Sequence, residues 1–260
     1  MAIVTVLNDE EALAEAAAER VTSLIETAVS ARRSAVVCLA GGRTPRKLYE
    51  RLADASHPWR SRIDWAGVHV FWGDERHVPP DHPGSNFGMA HRALLAHVPI
   101  PANQVHRIRG EVPDAAAAAR EYGHLLPATF DVMLLGLGED AHIASIFPGS
   151  PLLEMGSDPI HKSTQGVESS HEGGLTPLVA AVWAAHLNAW RITLTPQELL
   201  DARAILVIVS GENKAAAARA ALDGPVDEVR WPAQLLRAAG DRVEWIMDAA
   251  AARLRGAPPW

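Results

Sequence analysis

The sequence predicts a doubly wound α/β fold, three layers built on a mostly parallel sheet, in a single domain over residues 1–260. Two observations carry this. Short apolar runs recur along the chain at Ser34–Ala40, Val68–Trp72, Phe130–Leu135, Ala204–Val209 and Val243–Met247. Continuous Val, Leu and Ile runs suit parallel strands buried on both faces. Helix-like segments lie between the first of them, and strand alternating with helix is the pattern of a doubly wound sheet.

Each helix has its own signal. Leu13, Ala17, Val21, Leu24 and Ala28 follow a three-to-four spacing, as do Leu48 and Leu52. That spacing lays apolar side chains along one helical face. After the run at 34–40 come Ala40-Gly41-Gly42-Arg43-Thr44-Pro45, where Thr44 is placed to cap a helix and Pro45 to fill its first position. One stretch, residues 155–176, is rich in Gly, Ser and His and has no periodicity. It is too polar for core and long for a connection, so it reads as a mobile loop or lid. It marks no domain boundary, because the strands on either side belong to one sheet. No internal repeat is present.

Composition excludes several function classes. The chain has 48% hydrophobic and 21% charged residues, as soluble globular proteins do, and a formal net charge of -7. That balance argues against a nucleic-acid partner. A few cations focused in one cleft still suffice to hold an anionic small molecule. The 12 histidines are scattered and match no metal-ligand spacing, so no metal is expected. Cys38 is the one cysteine, which fits a reducing, cytoplasmic location, and no leader or membrane span is read from the sequence.

The residues with chemistry gather after the strands, where open α/β sheets place their ligands. The Gly41-Gly42 turn can aim backbone N–H groups at an anion, or serve as a plain turn with a cap. Phe71-Trp72-Gly73-Asp74-Glu75-Arg76 carries an acidic pair, but the phosphate loop of nucleotide triphosphatases is nowhere in the chain. Gly136, Gly138 and Ala141 match a dinucleotide fingerprint mechanically, yet no strand ending in an acid follows at about 20 residues. In the same run, Asp140 stands close to His142, which is read at the opening of a helix. A carboxylate beside an imidazole fixes its tautomer and raises its basicity, which suits a general base. A histidine merely satisfied by its neighbour is the plainer alternative. Ser210-Gly211-Glu212-Asn213-Lys214 puts a lysine in the first turn of a helix, against the dipole, a conflict that a bound phosphate would remove. Arg191, which opens Arg191-Ile192-Thr193-Leu194-Thr195, is a second cation of this kind.

Taken in order, GGRTP, FWGDER with Ser85-Asn86, LGLGEDAHIASIFPGSP, RITLT and SGENK resemble the motifs of the 6-phosphogluconolactonase family, within the larger glucosamine-6-phosphate isomerase/lactonase group. The resemblance runs from about Ser34 to Asp248 and is weakest between Met155 and Trp190. It implies a Rossmann-like fold and hydrolysis of 6-phospho-D-glucono-1,5-lactone, a step of the oxidative pentose phosphate pathway. It implies His142 as the base that activates water and Asp140 as its orienting partner. Gly41, Gly42, Thr44, Lys214 and Arg191 would receive the phosphate, and Arg76 would help bind the substrate. It implies no cofactor, a sugar-phosphate lactone as partner, and a monomer or small homo-oligomer.

Two departures stand out. The family's usual D-G-H is Asp140-Ala141-His142 here, a change that is tolerated if the backbone at 141 does not need positive φ. The segment 155–176 is longer than usual. The sister isomerases carry a Glu where this chain has Phe147, which cannot transfer a proton, so lactone hydrolysis is expected over isomerisation. A non-catalytic sugar-phosphate sensor is the other class considered; the acidic chain has no DNA-binding segment to accompany one.

Overall fold

The structure is a computed structural model that describes residues 2–154, 167–168 and 177–256. The elements run β1 (Ile3–Leu7), α1 (Glu10–Arg32), β2 (Ala35–Leu39), α2 (Arg43–Ala53), α3 (Trp59–Arg62), β3 (Val68–Trp72), β4 (Asp74–Arg76), α4 (Asn86–Ala90) and α5 (Ala115–Gly123). They continue with β5 (Val132–Leu135), β6 (Val167–Glu168), β7 (Val179–Ala184), β8 (Ala189–Leu194), α6 (Pro196–Leu200), β9 (Ile205–Val209), α7 (Ala215–Asp223), β10 (Val243–Asp248) and α8 (Ala249–Ala252).

All pairings in the central sheet are parallel, in the order β1-β10-β9-β5-β2-β3. The five expected strands are its interior and one edge. β5 and β9 are buried at every position, which explains their unbroken apolar runs. The expected α/β fold is therefore present. The chain steps outward from β2 to β3, then returns to lay β5 on the other side of β2. The carboxyl ends of β2 and β5 thus flank a topological switch point, where such sheets form their ligand crevice.

Helix α1 starts at Asp9, whose side chain accepts from the Ala12 amide at 2.8 Å, and ends at Arg33 in the left-handed region. Its buried stripe contains Leu13, Ala17, Val21 and Ala28 as expected, with Ile25 rather than Leu24 fully inside.

A second sheet was not foreseen. Its order is β4-β8-β7-β6, all antiparallel. Gly73 joins the two sheets: its N–H donates to Leu39 O at 3.0 Å and its carbonyl accepts from Leu194 N at 2.9 Å. Strand β3 thereby leaves the central sheet and continues as β4. The strands that follow residues 155–176 consequently belong to two sheets, β7 and β8 to the second and β9 to the first. The loop expected at 155–176 lies outside the described residues apart from Val167–Glu168, the backbone of which pairs with β7.

Candidate active site

Tight turns after the parallel strands position the site. After β2, Gly42 adopts φ 108° and itself caps α2, so the helix begins at Arg43. This corrects the expected cap. Thr44 lies inside the first turn, and its hydroxyl makes no capping bond because the Gly42 carbonyl already receives the Arg46 N–H at 3.1 Å. Tyr49 fastens the turn from beneath, with its hydroxyl bonded to the N–H and carbonyl of Ala40 at 2.9 and 2.8 Å. Gly41 has a steric reason of its own. A Cβ there would stand 1.9 Å from Asn86 Oδ1.

After β3, the acidic pair is structural in one half and faces the cavity in the other. Buried Glu75 accepts from the amides of Arg76, Asn86 and Phe87 at 2.7–2.8 Å and from Ser85 Oγ at 3.0 Å. Burial raises its carboxyl above the ordinary range despite these bonds. Asp74 accepts from Ser145 Oγ at 2.6 Å and Asn86 Nδ2 at 3.2 Å, tying three segments together. Arg76 donates Nη1 to the Gly84 carbonyl, while its buried Nε has no partner among the described residues.

After β5 the chain forms no helix, contrary to expectation. Ala141 and Ala144 take φ 63° and 49°, which interrupts helical progression. A closed turn results, in which Gly138 N donates to His142 O at 2.9 Å and Ala141 N to Gly138 O at 3.1 Å. The condition for tolerating Ala141 in place of glycine is therefore not met: the backbone has positive φ here, and the methyl is fully buried. Within the turn, Asp140 Oδ1 lies 2.6 Å from His142 Nδ1 and 3.2 Å from the His142 amide. Partial burial raises the Asp140 carboxyl, but the hydrogen bonds and charge of His142 outweigh it and hold the group at about 2. An ionised Asp140 can only accept, so Nδ1 carries the proton and Nε2 presents a lone pair. Nε2 has no partner among the described residues.

Three cations complete the site: Arg76, Arg191 and Lys214. Arg191 on β8 stands in register with Arg76 on β4. Burial first, then the charge of Arg76, lower its pKa. Lys214 caps α7 at the end of β9, where Gly211 turns the chain at φ 101°. Burial lowers its pKa, partly offset by Glu139 and Asp140, with Arg43 adding to the lowering. Arg76, Arg191 and Lys214 form no ion pair among the described residues, whereas Arg43 sits 3.7 Å from Glu10. Unpaired, half-buried cations beside two helix N-termini make an anion site.

A single cavity of about 630 Å³ takes in Gly41, Gly42, Thr44, Arg76, His142, Arg191 and Lys214. Asp140 stands behind His142 rather than on the wall. Residues not singled out from the sequence also line it: Arg43, Ser145 and His186. Phe147 is there too, with its ring 4.7 Å from that of His142. His186 carried no local signal, since it arrives on the β7–β8 turn of the second sheet. Among the described residues no three His, Cys, Asp or Glu side chains converge as metal ligands do.

Comparison with known proteins agrees with this architecture. A 6-phosphogluconolactonase of Nostoc sp. is 32% identical over 258 residues, 95% of this chain and 96% of that protein. The solved 6-phosphogluconolactonase of Trypanosoma brucei superimposes with a TM-score of 0.76 at 28% identity, covering 98% of this chain and 99% of that one. A monomeric glucosamine-6-phosphate deaminase superimposes equally well, at 0.76, over 97% of this chain and 100% of that one; at 24% identity it speaks for the fold alone. The profile of the glucosamine-6-phosphate isomerases/6-phosphogluconolactonase matches residues 8–245, and the chain belongs to that family.

Proposed function

We propose that the chain hydrolyses 6-phospho-D-glucono-1,5-lactone to 6-phospho-D-gluconate, with His142 as general base. The observation that carries this is the Asp140–His142 pair, whose Nε2, without a partner among the described residues, serves a cavity that takes in Arg76, Arg191 and Lys214. Nε2 accepts a proton as water attacks C1, giving a tetrahedral oxyanion. The C1–ring-oxygen bond then breaks, and the imidazolium returns the proton to the departing ring oxygen. Asp140 keeps the imidazole in the required tautomer and stabilises the cation formed. Lys214, Arg191 and the Gly41–Thr44 turn receive the phosphate, and Arg76 binds the substrate beside them.

Phe147 supports hydrolysis over the sister isomerisation. That chemistry moves protons between carbons and needs further acid/base groups, whereas an apolar ring packs on the base here. Similarity to relatives named for the lactonase supports the same choice. The reading includes a cytoplasmic enzyme; among the described residues no helix is long and apolar enough to cross a membrane, and the one cysteine is a buried free thiol.

The test is lactone hydrolysis above the spontaneous rate, with glucosamine 6-phosphate as the comparison substrate. Activity unchanged by exhaustive chelation is expected. Turnover of the amino sugar phosphate without lactone hydrolysis would overturn the assignment.

A further inference from the structure

The polar side chains on the cavity wall are mostly engaged with the protein. Asn86 and Ser145 donate to Asp74, Ser210 donates to Asp248, and Asn213 donates to Glu139. His142 has its Nδ1 on Asp140. His186 differs. It lines the same cavity, and neither ring nitrogen has a hydrogen bond among the described residues.

The hairpin that carries His186 sets it beside Phe147. Trp183 and Trp190 are register partners across β7 and β8, and their rings meet edge to face at 5.6 Å beneath the tip. The tip is a short 3-10 turn over Ala185–Leu187, closed by Asn188 at φ 47°, a conformation that asparagine tolerates well. Phe147 packs against the ring: its centroid lies 4.7 Å from that of His186, at 72°, and 4.7 Å from that of His142. One phenyl ring thus spaces the base from a second imidazole.

We propose that His186 is a substrate-binding residue that receives ring hydroxyls of the polyhydroxylated lactone and so contributes to recognition of the sugar, an inference that rests on the lactonase reading above. The cations suit a phosphate and His142 faces the carbonyl carbon. Hydroxyls call for a group that both donates and accepts, which a neutral imidazole does. Its place on the second sheet brings this contact from outside the parallel scaffold that holds the base.

His186 is exposed on a hairpin tip, so replacing it leaves the core untouched. His186→Ala should raise KM for 6-phosphogluconolactone about three- to tenfold, the loss expected for one or two neutral hydrogen bonds. It should raise KM for unphosphorylated gluconolactone by a similar factor, because both carry the hydroxyls. The preference for the phosphorylated lactone and the pH profile of kcat should match the parent protein. His186→Gln, which keeps a donor and an acceptor, should recover part of the loss. Wild-type KM in His186→Ala would overturn the proposal, and so would loss of the phosphate preference. If the parent protein hydrolyses no lactone, the functional reading fails separately. Calorimetric binding of 6-phosphogluconate then decides about His186: weaker binding by His186→Ala supports the contact, and equal binding overturns it.

Discussion

The ring of His142 lies where a side chain on Gly138 would have to go: a Cβ on Gly138 would stand 2.1 Å from Nδ1 of His142, and also 2.5 Å from Oδ1 of Asp140. The backbone between them is closed by the Gly138 N–H to His142 carbonyl bond. A methyl at 138 fits only if the His142 ring and the Asp140 carboxylate move, which disturbs their 2.6 Å contact. Gly138→Ala should therefore lower kcat at least about a hundredfold, in the range for losing a positioned base, while circular dichroism reports an intact fold. Wild-type kcat in this variant would show that the pair is not needed as it stands.

His142→Ala should lower kcat about 10²–10⁴-fold with a much smaller effect on KM, since a base acts on the transition state. His142→Asn keeps polarity without basicity and should be nearly as impaired. In the parent protein kcat should fall on the acid side, because only the neutral imidazole accepts a proton. Asp140, held at about 2, stays ionised through that range; its support is present above the ordinary carboxyl value and is lost only as pH drops towards 2. Initial rates corrected for spontaneous hydrolysis are the measurement.

Lys214→Ala removes a half-buried cation from the proposed phosphate site. Charge-assisted contacts contribute roughly 1.5–3 kcal/mol each, so KM should rise about tenfold to a hundredfold. The preference for phosphorylated over unphosphorylated lactone should shrink with it. A full preference retained by the variant would place the phosphate elsewhere.

Ala141 sits at φ 63° with its methyl fully buried. Glycine there would relieve about 1 kcal/mol of backbone strain. It would also give up a buried methyl worth about 0.8 kcal/mol and add unfolded-state freedom of about 0.4–1 kcal/mol. The contributions oppose each other, so Ala141→Gly should change stability in denaturant by no more than about 1 kcal/mol. Ala141→Val adds a β-branched side chain at a forbidden φ in a packed core and should destabilise by about 3 kcal/mol or more.

Glu198, 7% exposed in the first turn of α6, has its carboxyl pushed up to about 7, chiefly by burial and secondarily by Asp201. The folded chain therefore keeps a proton that the unfolded chain releases near the ordinary value. Below that value Glu198 costs nothing; its penalty grows as pH rises towards 7 and is complete above it. Glu198→Gln should stabilise the protein at pH 8 by up to about 3 kcal/mol and leave it unchanged at pH 4. Urea titrations at the two pH values test this.

Much of the architecture was legible because the central strands are buried on both faces and so read as unbroken aliphatic runs. β1 escaped notice because it is an edge, with Ile3 and Val6 about half exposed. β7, Val-Ala-Ala-Val-Trp-Ala, is built largely of small residues and follows an aperiodic stretch. Missing that hairpin meant missing His186. Gly41, Gly42, Thr44, His142 and Lys214 were readable because turns after parallel strands announce themselves with glycine, whereas Arg76 and Arg191, on β4 and β8 of the second sheet, were read from their motifs. The local misreadings came from backbone signs that sequence leaves silent. Thr44-Pro45 looks like a helix start, but Gly42 takes the cap by adopting φ 108°. His142 follows a strand as the opening of a helix would, but Ala141 and Ala144 turn left-handed.

The place of β10 has a consequence for biosynthesis. It lies between β1 and β9, so the earliest strand has no neighbour until the latest one is made. A ribosome adding about 5–20 residues per second leaves residues 3–7 without their sheet for the whole time needed to translate some 240 more. The nascent chain therefore cannot close its sheet before residues 243–248 have been made. Completion of the central sheet waits for β10, and until then the apolar segment at residues 3–7 has no strand to pair with.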